Sequence, residues 1–120
     1  MIVLCWNCPG LGNPRTVNAL KDLITSYKPD ILFLMETKAL SYRMEFFGSF
    51  LHFDGCFSVN RQELREGLSL MWKSHVSVSV VGFSSNFIDS VVSEGNVQWR
   101  FTSYYGFSES QRRRQSWNLI

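Results

Sequence analysis

Apolar and polar positions along this chain follow two periods in turn. Ile2 to Trp6 is a short apolar run of strand length. Asn7 to Pro14 breaks it with Pro9, Gly10, Gly12, Asn13 and Pro14, a loop signature. From Arg15 to Tyr27 the apolar residues Val17, Leu20, Leu23 and Ile24 fall at helical spacing. Lys28-Pro29-Asp30 closes that helix, because the proline ring disfavours the helical conformation at the residue before it. Ile31 to Met35 is a second apolar run of strand length. Strand, loop, helix, turn, strand in this order predicts two parallel strands of one sheet joined by a crossover helix.

Leu40 to Phe50 is predicted as a second helix, with Met44, Phe47 and Phe50 as its apolar face. Strands dominate after it. Gly67 to Trp72 is one. Val76, Val78 and Val80 alternate with Ser77 and Ser79, the pattern of a half-buried strand. Phe87 to Val92 and Val97 to Tyr105 are two more, and Glu109 to Ile120 starts a helix with Trp117 and Ile120 three apart. There is no repeat, low-complexity linker or internal domain boundary. The pattern predicts one small α/β domain.

Composition narrows the class. Of the 120 residues, 45% are hydrophobic, 15% aromatic and 18% charged, which excludes wholesale disorder and calls for aromatic rings packed between layers. The formal net charge of +2 is too mild to indicate nucleic-acid binding by itself. Part of the excess is the run Arg112-Arg113-Arg114, a solvated helix face or a contact for phosphate. The three cysteines, Cys5, Cys8 and Cys56, are odd in number and no secretory signal opens the chain, so a reduced intracellular compartment is expected. Cys5 and Cys8 lack a second pair at zinc-ligand spacing. No apolar run approaches the length of a membrane span.

Two polar residues stand where α/β sheets bind ligands, just past the carboxyl ends of parallel strands. Asn7 follows the first strand, and its amide both donates and accepts, which suits a phosphate or a metal-bound water; it equally suits a turn. Glu36 follows the second strand and would emerge at the same sheet end, where a carboxylate is a hard-metal ligand or simply a solvated strand end. His52 lies among Phe and Leu, and His75 follows Trp72-Lys73-Ser74 at a predicted turn. Both read as structural or surface residues.

The segments WNCPGLGNPRTVNALKDLI, PDILFLMETK, GLSLMWK, FSSNFIDSVV, WRFTSYYGFSE and RRRQSWNLI, in this order, resemble the opening of the endonuclease/exonuclease/phosphatase family, which includes deoxyribonuclease I-like enzymes. The form they resemble most is the endonuclease domain of plant-type non-LTR retrotransposons. The resemblance implies that Asn7 helps hold the phosphate and nucleophile, that Glu36 binds Mg²⁺ or Mn²⁺ with Asn7 beside it, and that Tyr105 (or its neighbour Tyr104) contacts the scissile phosphate. It implies DNA as the partner of the intact domain, no membrane, and an intracellular location that includes the nucleus. Pro9 departs from the basic residue usual there, Cys5 from a small polar one, and Phe107-Ser108 from the proline that often follows the tyrosine. The family's later Asp and Asn, and its final Asp-His pair, have no counterpart here.

The implied fold is the N-terminal half of a four-layer α/β/β/α sandwich, with residues 1–120 a partial domain that supplies mainly one sheet and its helices. The apolar sheet face formed by Val76 to Val80 and Trp99 to Tyr105 would then lie bare and favour self-association. The implied function is a fragment of a Mg²⁺-dependent endonuclease, inactive alone. A non-catalytic, truncated retroelement product that only folds or binds is the alternative, and a lipid phosphatase of the same family is a third.

Overall fold

The computed structural model describes residues 1–8, 10–38, 41–60 and 67–105. Among them the order is β1 (Val3–Asn7), α1 (Pro14–Tyr27), β2 (Ile31–Met35), α2 (Ser41–Phe50), β3 (Gly55–Asn60), β4 (Gly67–Trp72), β5 (Ser77–Phe83), β6 (Phe87–Glu94) and β7 (Val97–Tyr104). Helix α1 starts where its caps dictate. The Asn13 side chain accepts from the Arg15 N–H at 2.9 Å and Pro14 occupies the first turn. It ends where Lys28 turns left-handed, φ 48°, and donates its N–H to the Ile24 carbonyl at 2.8 Å.

The strands form two sheets. The first has the order β1-β2-β4-β3, with β1 and β2 parallel and the remaining pairs antiparallel. All of β2 is buried, because both of its faces are covered. Leu32 and Leu34 pack with Leu20 of α1 and Met44 of α2 on one side. Ile31, Phe33 and Met35 pack on the other side against the second sheet, antiparallel β5-β6-β7, through Ile88, Val92 and Phe101. The layers are therefore helix, sheet, sheet. Each large apolar side chain buried at these two interfaces contributes about 1.5–3 kcal/mol of transfer free energy.

Three expectations change. The chain supplies two sheets rather than mainly one. The face carrying Val76, Val78, Val80, Trp99, Phe101 and Tyr105 is not bare, because β2, β3 and β4 cover it within the chain. In α2, Met44 is buried and Phe47 half-buried as predicted, but Phe50 is 46% exposed. Two successive steps of three residues drift off the buried face, which instead continues from Met44 and Phe47 to Leu51. Strand β3 was absent from the sequence pattern. The predicted helix Glu109–Ile120, Arg112 to Arg114, Pro9, Phe107 and Ser108 lie outside the described residues.

β5 carries a register shift between Val80 and Gly82. Val80 pairs with Ser90 and Phe83 with Ile88, so the extra residue, Val81, returns Phe83 to the inner face. There its ring meets Phe57 of β3 edge to face, 5.2 Å between centroids.

Candidate active site

The parallel register fixes the candidate site. Asn7 pairs with Met35, so Glu36 is the next residue out and both emerge at the carboxyl end of β1 and β2. The opposite end holds the turn from β4 to β5, where His75 Nε2 lies 2.8 Å from Asp30 Oδ1 and 3.7 Å from Glu94 Oε2. Since Glu94 ends β6 at that far end, β7 runs back toward the end that holds Asn7 and Glu36, and Tyr105 follows it there. The sheets stack with β5 over β3 and β6 over β4, which leaves β7 toward β2. Tyr105 is half-buried, packs on the cluster that contains Met35, and donates its N–H to the Asn86 carbonyl at 2.7 Å. Tyr104 points to the outer face, its ring 5.7 Å from that of Phe87. Asn7, Glu36 and Tyr105 thus come from two sheets to one end of the sandwich.

The backbone at Glu36 is unusual. Its φ is +56°, the left-handed region, in a residue that is neither glycine nor asparagine. The loop after β1 holds it there. Cys8 N–H donates to the Met35 carbonyl at 2.9 Å, and Leu11 N–H donates to the Thr37 carbonyl at 3.0 Å. From the other side, the buried Thr37 gives its N–H to the Gly67 carbonyl at 3.2 Å. Glu36 itself is half-buried. The left-handed turn lifts it out of the ladder at the sheet edge. Sequence reasoning placed Asn7, Glu36 and Tyr105 at strand ends but missed these supports; nothing in a glutamate marks it for positive φ, whereas the glycine at position 10 is at least a visible loop signal.

Several charges elsewhere have structural partners. Asp30 is held below the usual carboxylate range, first by the Ile2 N–H at 2.7 Å and then by His75. Asp89 is lowered by the Arg100 guanidinium, with the Thr102 hydroxyl 2.8 Å away. Burial pushes the Cys5 and Cys8 thiols up to about 11 and raises Cys56, which favours the protonated thiol in all three. His52 lines a shallow groove with Lys21 and Phe50, and its carbonyl accepts from Lys73 Nζ at 2.6 Å, beside the far-end turn. A cleft of about 310 Å³ also lies at that far end, lined by Lys28, Asp30, Asp54, Lys73 and His75. It is remote from Asn7 and Glu36.

The hard oxygen donors at Asn7 and Glu36 suit a Mg²⁺ or Mn²⁺ ion, which is commonly held by one or two carboxylates, waters and a substrate phosphate. Among the described residues, no three His, Cys, Asp or Glu side chains gather as a metal-ligand set. Among the described residues, too, no helix is long and apolar enough to cross a membrane.

Solved structures share this architecture. Humanized D. rerio TDP2 carrying 14 mutations superposes with a TM-score of 0.62 at 15% identity, over 94% of this chain and 53% of that one. Truncated Caenorhabditis elegans TDP2 gives 0.60 at 17% identity, over 94% and 49%. The human Nocturnin catalytic domain with bound sulfate anion gives 0.60 at 13% identity, over 92% and 53%. The chain thus spans about half the length of these relatives. At such identities the likeness establishes the fold. No curated protein matches significantly. The pattern of the Endonuclease/Exonuclease/phosphatase family matches residues 4–119, nearly the whole sequence, and the chain belongs to that family.

Proposed function

We propose that this chain is part of a metal-dependent phosphodiesterase that cuts DNA, and that Asn7, Glu36 and Tyr105 are its contribution to the active site. The observation that carries the reading is Glu36 itself, a carboxylate held in left-handed backbone beside Asn7 at the ligand-binding end of a parallel strand pair. Conformations of that kind cost about 1–3 kcal/mol, persist only where the surrounding structure over-determines them, and cluster at active sites and ligand clamps. In this reading the Glu36 carboxylate holds Mg²⁺ or Mn²⁺. The Asn7 amide donates to a phosphate oxygen or orients a water, and the Tyr105 hydroxyl contacts the phosphate from the facing sheet. A bound divalent ion would supply charge stabilisation at the phosphate.

These residues bind and position; they do not activate water. Both histidines of the sequence sit at or toward the far end, His75 against Asp30 and His52 beside Lys73. General-base assistance is worth about 10²–10⁴-fold, so the 120 residues alone are proposed to leave DNA essentially uncut. The resemblance to plant-type non-LTR retrotransposon endonucleases supports that origin for the chain, with an intracellular setting that includes the nucleus. Self-association would use the outer face of the second sheet, where Val81 and Tyr104 are exposed. A plasmid-nicking assay with Mg²⁺, with a Glu36→Ala control, tests the reading. Cleavage at background for both is expected. Robust nicking abolished by Glu36→Ala would show that these residues suffice for turnover.

A further inference from the structure

The loop after β1 contributes more than Asn7. Three backbone hydrogen bonds close around Glu36: Cys8 to Met35 at 2.9 Å, Leu11 to Thr37 at 3.0 Å, and Thr37 to Gly67 at 3.2 Å. The carbonyl before Glu36 and the carbonyl after it are therefore both held by donors of the β1 loop. The Met35 carbonyl also accepts the buried Cys8 thiol, 3.2 Å away.

Gly10 permits the approach. Its φ is +99°, and a Cβ there would meet Lys38 Cδ at 3.3 Å. Lys38 is itself left-handed, φ 54°. An L side chain at position 10 thus meets two obstacles, a disfavoured backbone conformation and the Lys38 stem. Gly12, two residues on, has nothing within 4 Å of its would-be Cβ and no positive φ. The loop is demanding at one glycine and permissive at the other.

From this geometry we infer that Gly10, Cys8 and Thr37 are positioning residues for Glu36: the β1 loop clamps both flanking carbonyls and so holds Glu36 left-handed at the strand end. The strain at Glu36 is then imposed from outside, and removing the clamp lets residue 36 relax toward extended backbone. The inference rests on the proposed role of Glu36 only for its functional consequence. The clamp itself is a conformational claim.

The test uses the full, isotope-labelled chain with two readouts. The first is the sign of φ at Glu36, from its three-bond HN–Hα coupling and cross-correlated relaxation. The second is Mn²⁺-induced broadening of the Glu36 amide. Gly10→Ala is expected to move the φ reporter toward extended values and to raise the Mn²⁺ needed for equal broadening on the order of tenfold, while Phe33 and Leu70 amides stay in place. Gly12→Ala is expected to leave both readouts as in the parent. If Gly10→Ala does not fold, Cys8→Ala and Cys8→Ser replace it, since the Cys8 thiol donates to the Met35 carbonyl, with Ser expected to hold φ positive and Ala not. Glu36 remaining left-handed in Gly10→Ala or in Cys8→Ala overturns the clamp. Loss of positive φ in a chain whose Glu36 never responds to Mn²⁺ supports the clamp while overturning the metal role, so the two claims fail separately.

Discussion

A glutamate in left-handed backbone is costly, by roughly 1–2 kcal/mol relative to the right-handed form. At Glu36 that cost is set against the hydrogen bonds on either side of it. If the residue is kept for its carboxylate and not for stability, Glu36→Gly should be neutral or stabilising by up to about 1 kcal/mol, since glycine accepts positive φ freely. Met35→Ala, one residue earlier and buried, should cost about 2–5 kcal/mol. Urea unfolding of both variants measures this. A Glu36→Gly variant destabilised by more than about 1 kcal/mol would mean that side-chain contacts, and not strain, dominate at the position. The place of Glu36 at the carboxyl end of β2 was legible from the apolar run before it. Its backbone was not, because positive φ at a non-glycine residue is decided by tertiary hydrogen bonds that no local pattern encodes.

At the scale of elements, the parallel pair β1 and β2 and the helix between them could be read almost to the residue, since caps, proline and periodicity all agree there. Strand β3 could not. Its inner positions Phe57 and Val59 alternate with Cys56 and Ser58, and two apolar residues on one face are too short a pattern to stand out. The hydroxyls of Ser58 and Ser69 lie 2.6 Å apart, which lets two serines stand under a helix without loss. The β5 bulge was also hidden, because the Val76-Val78-Val80 alternation gives no warning that the parity changes at Val81. That change brings Phe83 onto Phe57. Phe83 is 57% exposed, yet a double-mutant cycle of Phe83→Ala and Phe57→Ala should return a coupling of about 1 kcal/mol. A coupling indistinguishable from zero would show that the shifted register makes no productive contact.

For the molecule as a whole, the decisive feature is that one apolar cluster is shared by both sheets. A chain with a single sheet and a bare face would expose a large apolar patch and associate. Here Phe101 of β7 and Phe33 of β2 lie in the same core, so the sheets stabilise each other. Phe101→Ala should therefore cost about 3–5 kcal/mol and lower both sheets in one transition. Separate transitions for amides of β2 and β6 in hydrogen exchange against denaturant would contradict a shared core. The sequence pattern identified these apolar faces correctly but assigned them to an absent partner layer, because alternation marks which side of a strand is buried and says nothing about what buries it.

The shared core also sets which carboxylates compete for a cation. Among the described residues, the far end of the sandwich carries Asp30, Asp54 and Glu94, while Glu36 lies at the same sheet end as Asn7. Charge density alone would draw Mn²⁺ to the far end. A Mn²⁺ titration of the labelled chain, followed by amide broadening with a short DNA duplex present, therefore tests the central claim most directly. The account predicts broadening centred on Asn7, Glu36 and Tyr105 and lost in Glu36→Gln. Broadening centred on Asp30, Asp54 and Glu94, and unchanged by that substitution, would contradict it.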